Sequence, residues 1–200
     1  MSYPKAMEDL IADFMKYPGI GRKTAERYAI FTIDKITQED LDGFASDISK
    51  IKQDVFPCPV CGQLTDINPC QVCSDPKRDK SVIMIVESPK DAFSFERGGT
   101  YNGLYHVLHG VISPMDGTGP EDINLSSLWP RVQEKEIKEI IIATSATQEG
   151  ETTAMYIQRA LKNLDILTTR IGYGVPVGGN LDYADDQTLT KAVENRKAYR

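Results

Sequence analysis

The clearest indication of the fold is Ser81-Val82-Ile83-Met84-Ile85-Val86-Glu87, where a largely apolar run of strand length ends directly on a carboxylate. A second apolar run, Glu139-Ile140-Ile141-Ile142-Ala143, is followed by a helical pattern over residues 151–164. Near-continuous apolar strands followed by helices are typical of a parallel sheet that is covered on both faces. The sequence therefore predicts an α/β domain in this part of the chain.

Three helical patterns precede that domain. Apolar residues recur at helical spacing over residues 5–16, 22–33 and 39–53. A very tight turn at residues 18–21 separates the first two patterns, and a segment rich in Cys and Pro at residues 56–75 separates the third from the sheet. The chain thus divides into a helical part, a small cysteine-rich module and an α/β domain.

Composition narrows the class of protein. The chain has 200 residues, 40% of them hydrophobic, and a formal net charge of -6. It contains no apolar run near the roughly 18 residues of a membrane span and no signal-peptide pattern, so we expect a cytoplasmic globular protein without a membrane partner. A negative protein can neutralise phosphates only where Lys and Arg are concentrated, so any contact with DNA must be local.

Basic residues are concentrated around the tight turn, Pro18-Gly19-Ile20-Gly21. Gly19 and Gly21 allow positive φ and close backbone approach, and the amides that open the next helix offer the positive end of its dipole to a phosphate. Lys23 and Arg27 lie four residues apart, on one face of that helix. The pattern resembles the helix-hairpin-helix motif, which implies sequence-independent DNA binding. A plain αα-hairpin with a solvated basic face is the alternative.

All four cysteines belong to two CxxC pairs, and eight residues separate the pairs. This spacing suits a tetrahedral four-thiolate zinc site, which has no open position for a reactive water. We therefore predict one structural Zn²⁺ per chain. Two disulfides are the alternative, and a cytoplasmic redox state disfavours them. The four predicted ligands are Cys58, Cys61, Cys70 and Cys73.

Carboxylates follow the two apolar strands. Glu87 ends the first strand, Asp91 comes four residues later, and Glu149 follows the second strand. The placement resembles the Toprim domain of topoisomerases, primases and some nucleases, where the strand-end glutamate works with an Asp-x-Asp pair to hold Mg²⁺. That pair is missing here, so we predict an acidic surface that binds a basic partner. Capping of the strand-to-helix turn is the alternative for Glu87 and Asp91.

Histidines and glycines elsewhere indicate structure rather than chemistry. His106 and His109 have a metal-like spacing but no neighbouring ligand set, which favours hydrogen-bonding roles. Residues 174–179 are glycine-rich but lack the Gly-Lys-Ser/Thr ending of a P-loop. Neither feature predicts a further site.

Several short motifs, in one order along essentially the whole chain, resemble segments of the RecR recombination-mediator family. Two small departures occur: Ser145-Ala146 stands where the family commonly has Asn-Pro, and Gly172 where it often has Ala. Neither departure touches a residue with a predicted role. The motifs are Tyr105-His106-Val107-Leu108-His109-Gly110, Ser113-Pro114-Met115, Gly119-Pro120, Glu149-Gly150-Glu151-Thr152-Thr153-Ala154, Thr169-Arg170-Ile171 and Gly174-Val175-Pro176-Val177-Gly178-Gly179.

The resemblance implies a multi-domain α/β protein. It implies a helix-hairpin-helix DNA-binding domain at residues 1–53, a four-cysteine zinc finger at 54–79, a Toprim domain with a parallel sheet at 80–172, and a C-terminal segment at 173–200 for packing and oligomerisation.

It also implies a DNA-repair function without enzymatic activity. A homotetrameric ring or clamp would encircle DNA and act with RecO and RecF to load RecA onto gaps covered by single-strand-binding protein. Two other classes stay open on the sequence: a metal-dependent nuclease or primase-like Toprim enzyme, and a zinc-ribbon adaptor without DNA affinity.

Overall fold

The computed structural model of the chain describes residues 2–134 and 136–198. It divides into two compact units, Met1–Asp54 and Val55–Arg200. No helix in the described ranges is both long and apolar enough to cross a membrane.

The first unit contains three helices: α1 Lys5–Phe14, α2 Arg22–Lys35 and α3 Gln38–Asp54. Ile11 of α1 and two alanines of α2 are fully buried, and Ile20 of the turn packs against them. The helix α1 ends two residues earlier than predicted, because the chain enters a turn at Met15 that leads to the left-handed Gly19. The helix α2 runs two residues beyond the predicted end and stops where Ile36 is extended.

The helix α3 buries none of its residues. Its apolar stripe is present as predicted, but Phe44, Ile48 and Ile51 are 54%, 47% and 56% exposed. A contiguous exposed apolar stripe of this kind is unusual for an isolated soluble domain and is typical of an association surface.

The second unit begins with the cysteine-rich module. Two short strands, β1 Phe56–Pro57 and β2 Leu64–Thr65, pair antiparallel, and the short helix α4 Gln71–Ser74 follows. The first CxxC lies in the turn between the two strands, and the second overlaps the start of α4.

Four parallel strands form the main sheet, in the order β4-β3-β5-β6. The strand β3 starts two residues before the predicted run, and α7 spans 148–161 rather than 151–164, because Thr147 caps it by accepting from the N–H of Gly150. The strands are β3 Asp79–Val86, β4 Gly103–Val107, β5 Glu139–Ala143 and β6 Leu167–Arg170; the helices are α5 Pro89–Gly98, α6 Leu128–Glu134, α7 Gln148–Leu161 and α8 Asp186–Glu194.

Both faces of this sheet are buried. Ile83 and Ile85 share a buried cluster with Leu128 of α6 and Ile157 of α7, whereas Met84 and Val86, which alternate with them on β3, pack with Ala92 of α5. This arrangement confirms the predicted parallel sheet with helices on both faces. The carboxyl ends of β3, β5 and β6 meet at one edge, which we call the carboxyl edge.

Candidate functional site

The structure brings the four cysteines together. Their sulfur atoms all lie within 4.8 Å of one another, and the Sγ atoms of Cys61 and Cys70 are 3.5 Å apart. Four thiolates around a zinc ion at about 2.3 Å would be separated by roughly 3.8 Å, so the spacing suits a single tetrahedral metal. All four thiols are free, and all but Cys73 are buried. These residues fit a structural metal ion.

Two backbone N–H groups donate hydrogen bonds to the sulfur atoms, which favours the thiolate form that binds a cation. The N–H of Gln63 donates to Cys61 Sγ, and the N–H of Cys70 donates to Cys58 Sγ, each at 3.5 Å. The hydrogen bond from Cys61 lowers the pKa of the Cys70 thiol. Gly62 makes the first turn possible, because its φ is +78° and an added Cβ would lie 2.8 Å from the carbonyl oxygen of Val107.

The cysteine module is bound to the free edge of β4. The N–H of Val107 donates to the carbonyl of Cys61 at 2.7 Å, and His109 Nε2 lies 2.7 Å from the carbonyl of Gly62. His106 is buried, its Nε2 lies 2.6 Å from the carbonyl of Asn124, and burial lowers its pKa to about 4. The two histidines therefore bond to the backbone, as predicted, and neither joins the metal ligands.

Glu87 lies at the carboxyl edge and is held there by the next strand. It accepts hydrogen bonds from the N–H of Ser145 at 2.6 Å and from its hydroxyl at 2.8 Å. Gly150 lies against both residues, since an added Cβ would come within 2.2 Å of the Ser145 carbonyl. Ser145, where the sequence departs from the family pattern, thus contacts an assigned residue, because the strands carry positions 87 and 145 to the same edge.

The other two acids behave differently from each other. Asp91 closes a capping box at the start of α5, where Oδ2 accepts from the N–H and the hydroxyl of Ser88 at 2.9 and 2.8 Å. Glu149 lies in the first turn of α7 and has no side-chain partner among the described residues. Of the three predicted partner-binding acids, Asp91 thus has a local structural role, which was the alternative prediction for it.

These acids do not form a metal-binding group. Within residues 2–134 and 136–198, the cysteines are the only set of three or more His, Cys, Asp or Glu side chains close enough to share an ion. The geometry therefore gives the metal-dependent enzyme alternative no support, since two-metal chemistry needs several converging oxygen anions.

A polar cluster at the same edge was missed from the sequence. Arg170, at the end of β6, donates to the carbonyl of Ser145 at 3.1 Å and to Glu151 at 2.9 Å, and the Tyr173 hydroxyl donates to the same carboxylate at 2.6 Å. Burial raises the pKa of Glu151, but the bonds from Tyr173 and Arg170 outweigh it and lower the pKa overall. No local pattern marks this cluster, because Arg170 and Tyr173 lie 19 and 22 residues after Glu151.

The predicted DNA-binding turn lies in the first unit. Gly19 has a φ of +80°, but Gly21 has a φ of -84°, so only the first glycine is required by its conformation. Arg22 is occupied by ion pairs to Glu8 and Glu26. Lys23 and Arg27 are exposed one turn apart, and neither has an ion pair in the described part of the chain.

Comparison with known proteins decides the family. Relatives named "Recombination protein RecR" are 52% identical in Enterococcus faecalis, over 98% of this chain and 99% of the relative, and 51% identical in Ligilactobacillus salivarius with the same coverage. The chain belongs to the RecR family. The family model for the Toprim domain matches residues 81–172, and the model described as RecR, C-terminal matches residues 174–197.

Membership in the RecR family sets the functional class. The relatives are named recombination proteins, and membership in their family gives this chain a role in recombination. In the matched Toprim region, Glu87 lies at the end of a strand, and no metal-binding set of three or more side chains in the described ranges includes it.

Proposed function

We propose that the chain is a recombination mediator that binds DNA without sequence preference and, with RecO and RecF, loads RecA onto gapped DNA covered by single-strand-binding protein. The observation that carries this proposal is the exposed basic pair beside a glycine turn, in a chain that matches RecR proteins over nearly its full length. The proposed domains are 1–53 for DNA, 54–79 for the metal, 80–172 for the Toprim fold and 173–200 for packing and oligomerisation.

The DNA contact is assigned to Gly19, Gly21, Lys23 and Arg27. Arg22 is already paired with two glutamates, so the two neighbouring cations are the ones left to neutralise phosphates. The first turn of α2 offers unpaired backbone N–H groups beside them, which suit a phosphate oxygen. Space around Gly21 is open, so a DNA backbone can approach it closely.

The cysteine cluster is assigned one structural Zn²⁺ per chain. Four thiolates select soft or borderline metals, and zinc is the usual ion in a closed tetrahedral thiolate site. The metal contributes folding free energy to a module whose two strands are only two residues long.

The partner surface is assigned to Glu87 and Glu149 at the carboxyl edge, with Asp91 beside them. The partner that binds this surface is proposed to be RecO. Complementary charge mainly raises the association rate and selects the partner, which a scaffold requires and catalysis does not. The homotetramer is supported by the exposed apolar stripe of α3, since a second copy would remove it from water.

The DNA assignment is tested with a Lys23→Ala/Arg27→Ala double variant. We expect weaker binding to every DNA sequence and a shallower dependence of log affinity on log salt, by about 0.9 for each duplex phosphate that the protein no longer neutralises. The measurement is a fluorescence anisotropy titration at several salt concentrations.

A Lys50→Ala/Lys52→Ala variant is the matched control, because it removes the same charge from exposed positions of α3 in the same unit. We expect the control to keep the wild-type slope. Wild-type affinity in a folded Lys23→Ala/Arg27→Ala protein would assign the DNA surface to other residues.

A further inference from the structure

Arg131 of α6 is a buried cation that no carboxylate of the described ranges pairs with. The residue is 6% exposed, and its Nη1 donates to the carbonyl of Tyr105 at 2.7 Å and to Nδ1 of His106 at 3.2 Å. Its Nε and Nη2 atoms are buried and have no hydrogen-bond partner among the described residues. A buried cation in this state needs negative charge from another source.

The free edge of β4 places this guanidinium beside the cysteine module. Tyr105 and Val107 direct their backbone groups to the same outer edge; the first accepts from Arg131, and the second donates to the carbonyl of Cys61. Two residues along a strand span about 7 Å. Val72, inside the second CxxC pair, packs against the same buried cluster as Leu128 of α6. One half of the cysteine module is thus bonded to the strand that holds Arg131, and the other half packs against the buried cluster that includes Leu128 of the same helix.

The charge balance points the same way. A divalent ion held by four thiolates carries net negative charge, and three of these cysteines are almost fully buried. Burial lowers the pKa of Arg131, and negative charge on all four cysteine sulfurs opposes that shift. Arginine stays protonated in proteins, so a cation and an anionic cluster lie together in a dry region.

We propose that Arg131 is the counter-cation of the cysteine metal centre. It offsets the negative charge of the metal-thiolate cluster through space, while Nη1 stays hydrogen-bonded to Tyr105 and His106. The inference rests on the proposal that the cysteines hold zinc, and it makes Arg131 a positioning residue, since it acts through the thiolates. The bond to Tyr105 fixes the guanidinium at the edge of β4.

The test measures metal binding in Arg131→Met, which keeps the approximate length of the side chain but removes its charge and donors. Loss of an outer-shell partner of a metal site typically weakens metal binding by roughly tenfold to a hundredfold, and we expect a loss of that size in a zinc competition assay with a chromogenic chelator. In the Co²⁺-substituted protein, the sulfur-to-cobalt charge-transfer band should move to longer wavelength, because thiolates without a neighbouring cation give up electrons more readily.

Arg170→Met is the matched control. Like Arg131, Arg170 is hydrogen-bonded to backbone carbonyls, but it is half-buried and lies on β6, the other edge strand of the sheet. We expect wild-type zinc affinity and an unshifted cobalt band in this variant. Arg131→Lys keeps the charge without the planar donor set and should show an intermediate band position.

The outcomes separate the two proposals. A wild-type protein that binds neither zinc nor cobalt overturns the metal assignment and the role of Arg131 together. An unshifted band in an Arg131→Met protein that still binds metal overturns the role of Arg131 alone, whether or not the affinity falls, since general loosening lowers affinity without changing the charge beside the thiolates. If Arg131→Met does not fold, an unshifted band and wild-type affinity in Arg131→Lys contradict the inference.

Discussion

At the residue scale, the three acids of the carboxyl edge are not equivalent. Asp91 accepts two hydrogen bonds from Ser88, and Glu87 accepts two from Ser145, whereas the carboxylate of Glu149 has no partner among the described residues. Replacing a capping acid costs about 1 kcal/mol of stability. Charge reversal at Asp91 would therefore lower stability as well as partner binding, and the two effects could not be told apart. Glu149 has no such structural role, so it is the better position for testing the partner surface.

We predict that Glu149→Lys slows association with RecO by a few-fold at low salt and leaves DNA affinity and metal content unchanged. The difference from wild type should shrink as salt screens the attraction. Surface plasmon resonance at several ionic strengths measures the rates.

Glu136→Lys is the control for this measurement, because it makes the same charge change at an exposed residue near the opposite, amino edge of the sheet. Equal slowing in both variants would show that overall charge, and not the carboxyl edge, governs association.

At the element scale, the cysteine module and β4 depend on each other. Among the described strands β4 pairs with only one neighbour, and its outer edge is covered by the carbonyl of Cys61, by Arg131 and by the side chain of Asn124. An uncovered edge strand is prone to pairing with other chains. The module thus closes the sheet in addition to presenting four thiolates.

We predict that Cys58→Ser or Cys70→Ser loses the metal and unfolds locally around residues 56–75, because metal binding and folding are coupled in such a module. Hydrogen exchange should accelerate there and at the amide of Val107, while β5 and β6 keep their protection. Ser74→Ala, which changes an exposed hydroxyl beside Cys73, is the control and should retain one zinc per chain. Full protection of residues 56–75 in a metal-free cysteine variant would contradict the coupling.

At the scale of the whole molecule, exposed apolar side chains on α2 and α3 indicate association. Phe31 and Ile33 are 58% and 64% exposed, and Phe44 and Ile51 are exposed to a similar degree. Burying apolar surface contributes roughly 25 cal/mol per Å², so a second copy is a favourable way to cover them. The negative net charge of the chain limits non-specific contact with DNA. An oriented assembly of several copies would bring their basic turns together.

We predict a zinc-containing species of four chains in solution, measured by native mass spectrometry with and without DNA. Phe44→Asp should shift the population to smaller species, because it places a charge in the apolar stripe. Met115→Asp, at a residue 92% exposed in the second unit, should not. A monomer that is indifferent to DNA would overturn the ring proposal.

Sequence alone determined the features that depend on local pattern. The two CxxC pairs, the glycine turn with Lys23 and Arg27, and the apolar strands are contiguous, so spacing and periodicity identify them directly. The parallel sheet follows from those strands and the helix between them, and the comparisons agree with the family that the ordered motifs indicate.

Tertiary structure alone decided which distant side chains meet. The bond between Glu87 and Ser145 joins residues 58 positions apart, and the bond between Arg131 and Tyr105 joins residues 26 apart. The structure also shows that Asp91 and Glu149 differ in role: Asp91 caps its own helix, and Glu149 has no side-chain partner among the described residues. The physical reason is that strand order and register set these contacts, and parallel strands far apart in sequence bring their ends to one edge.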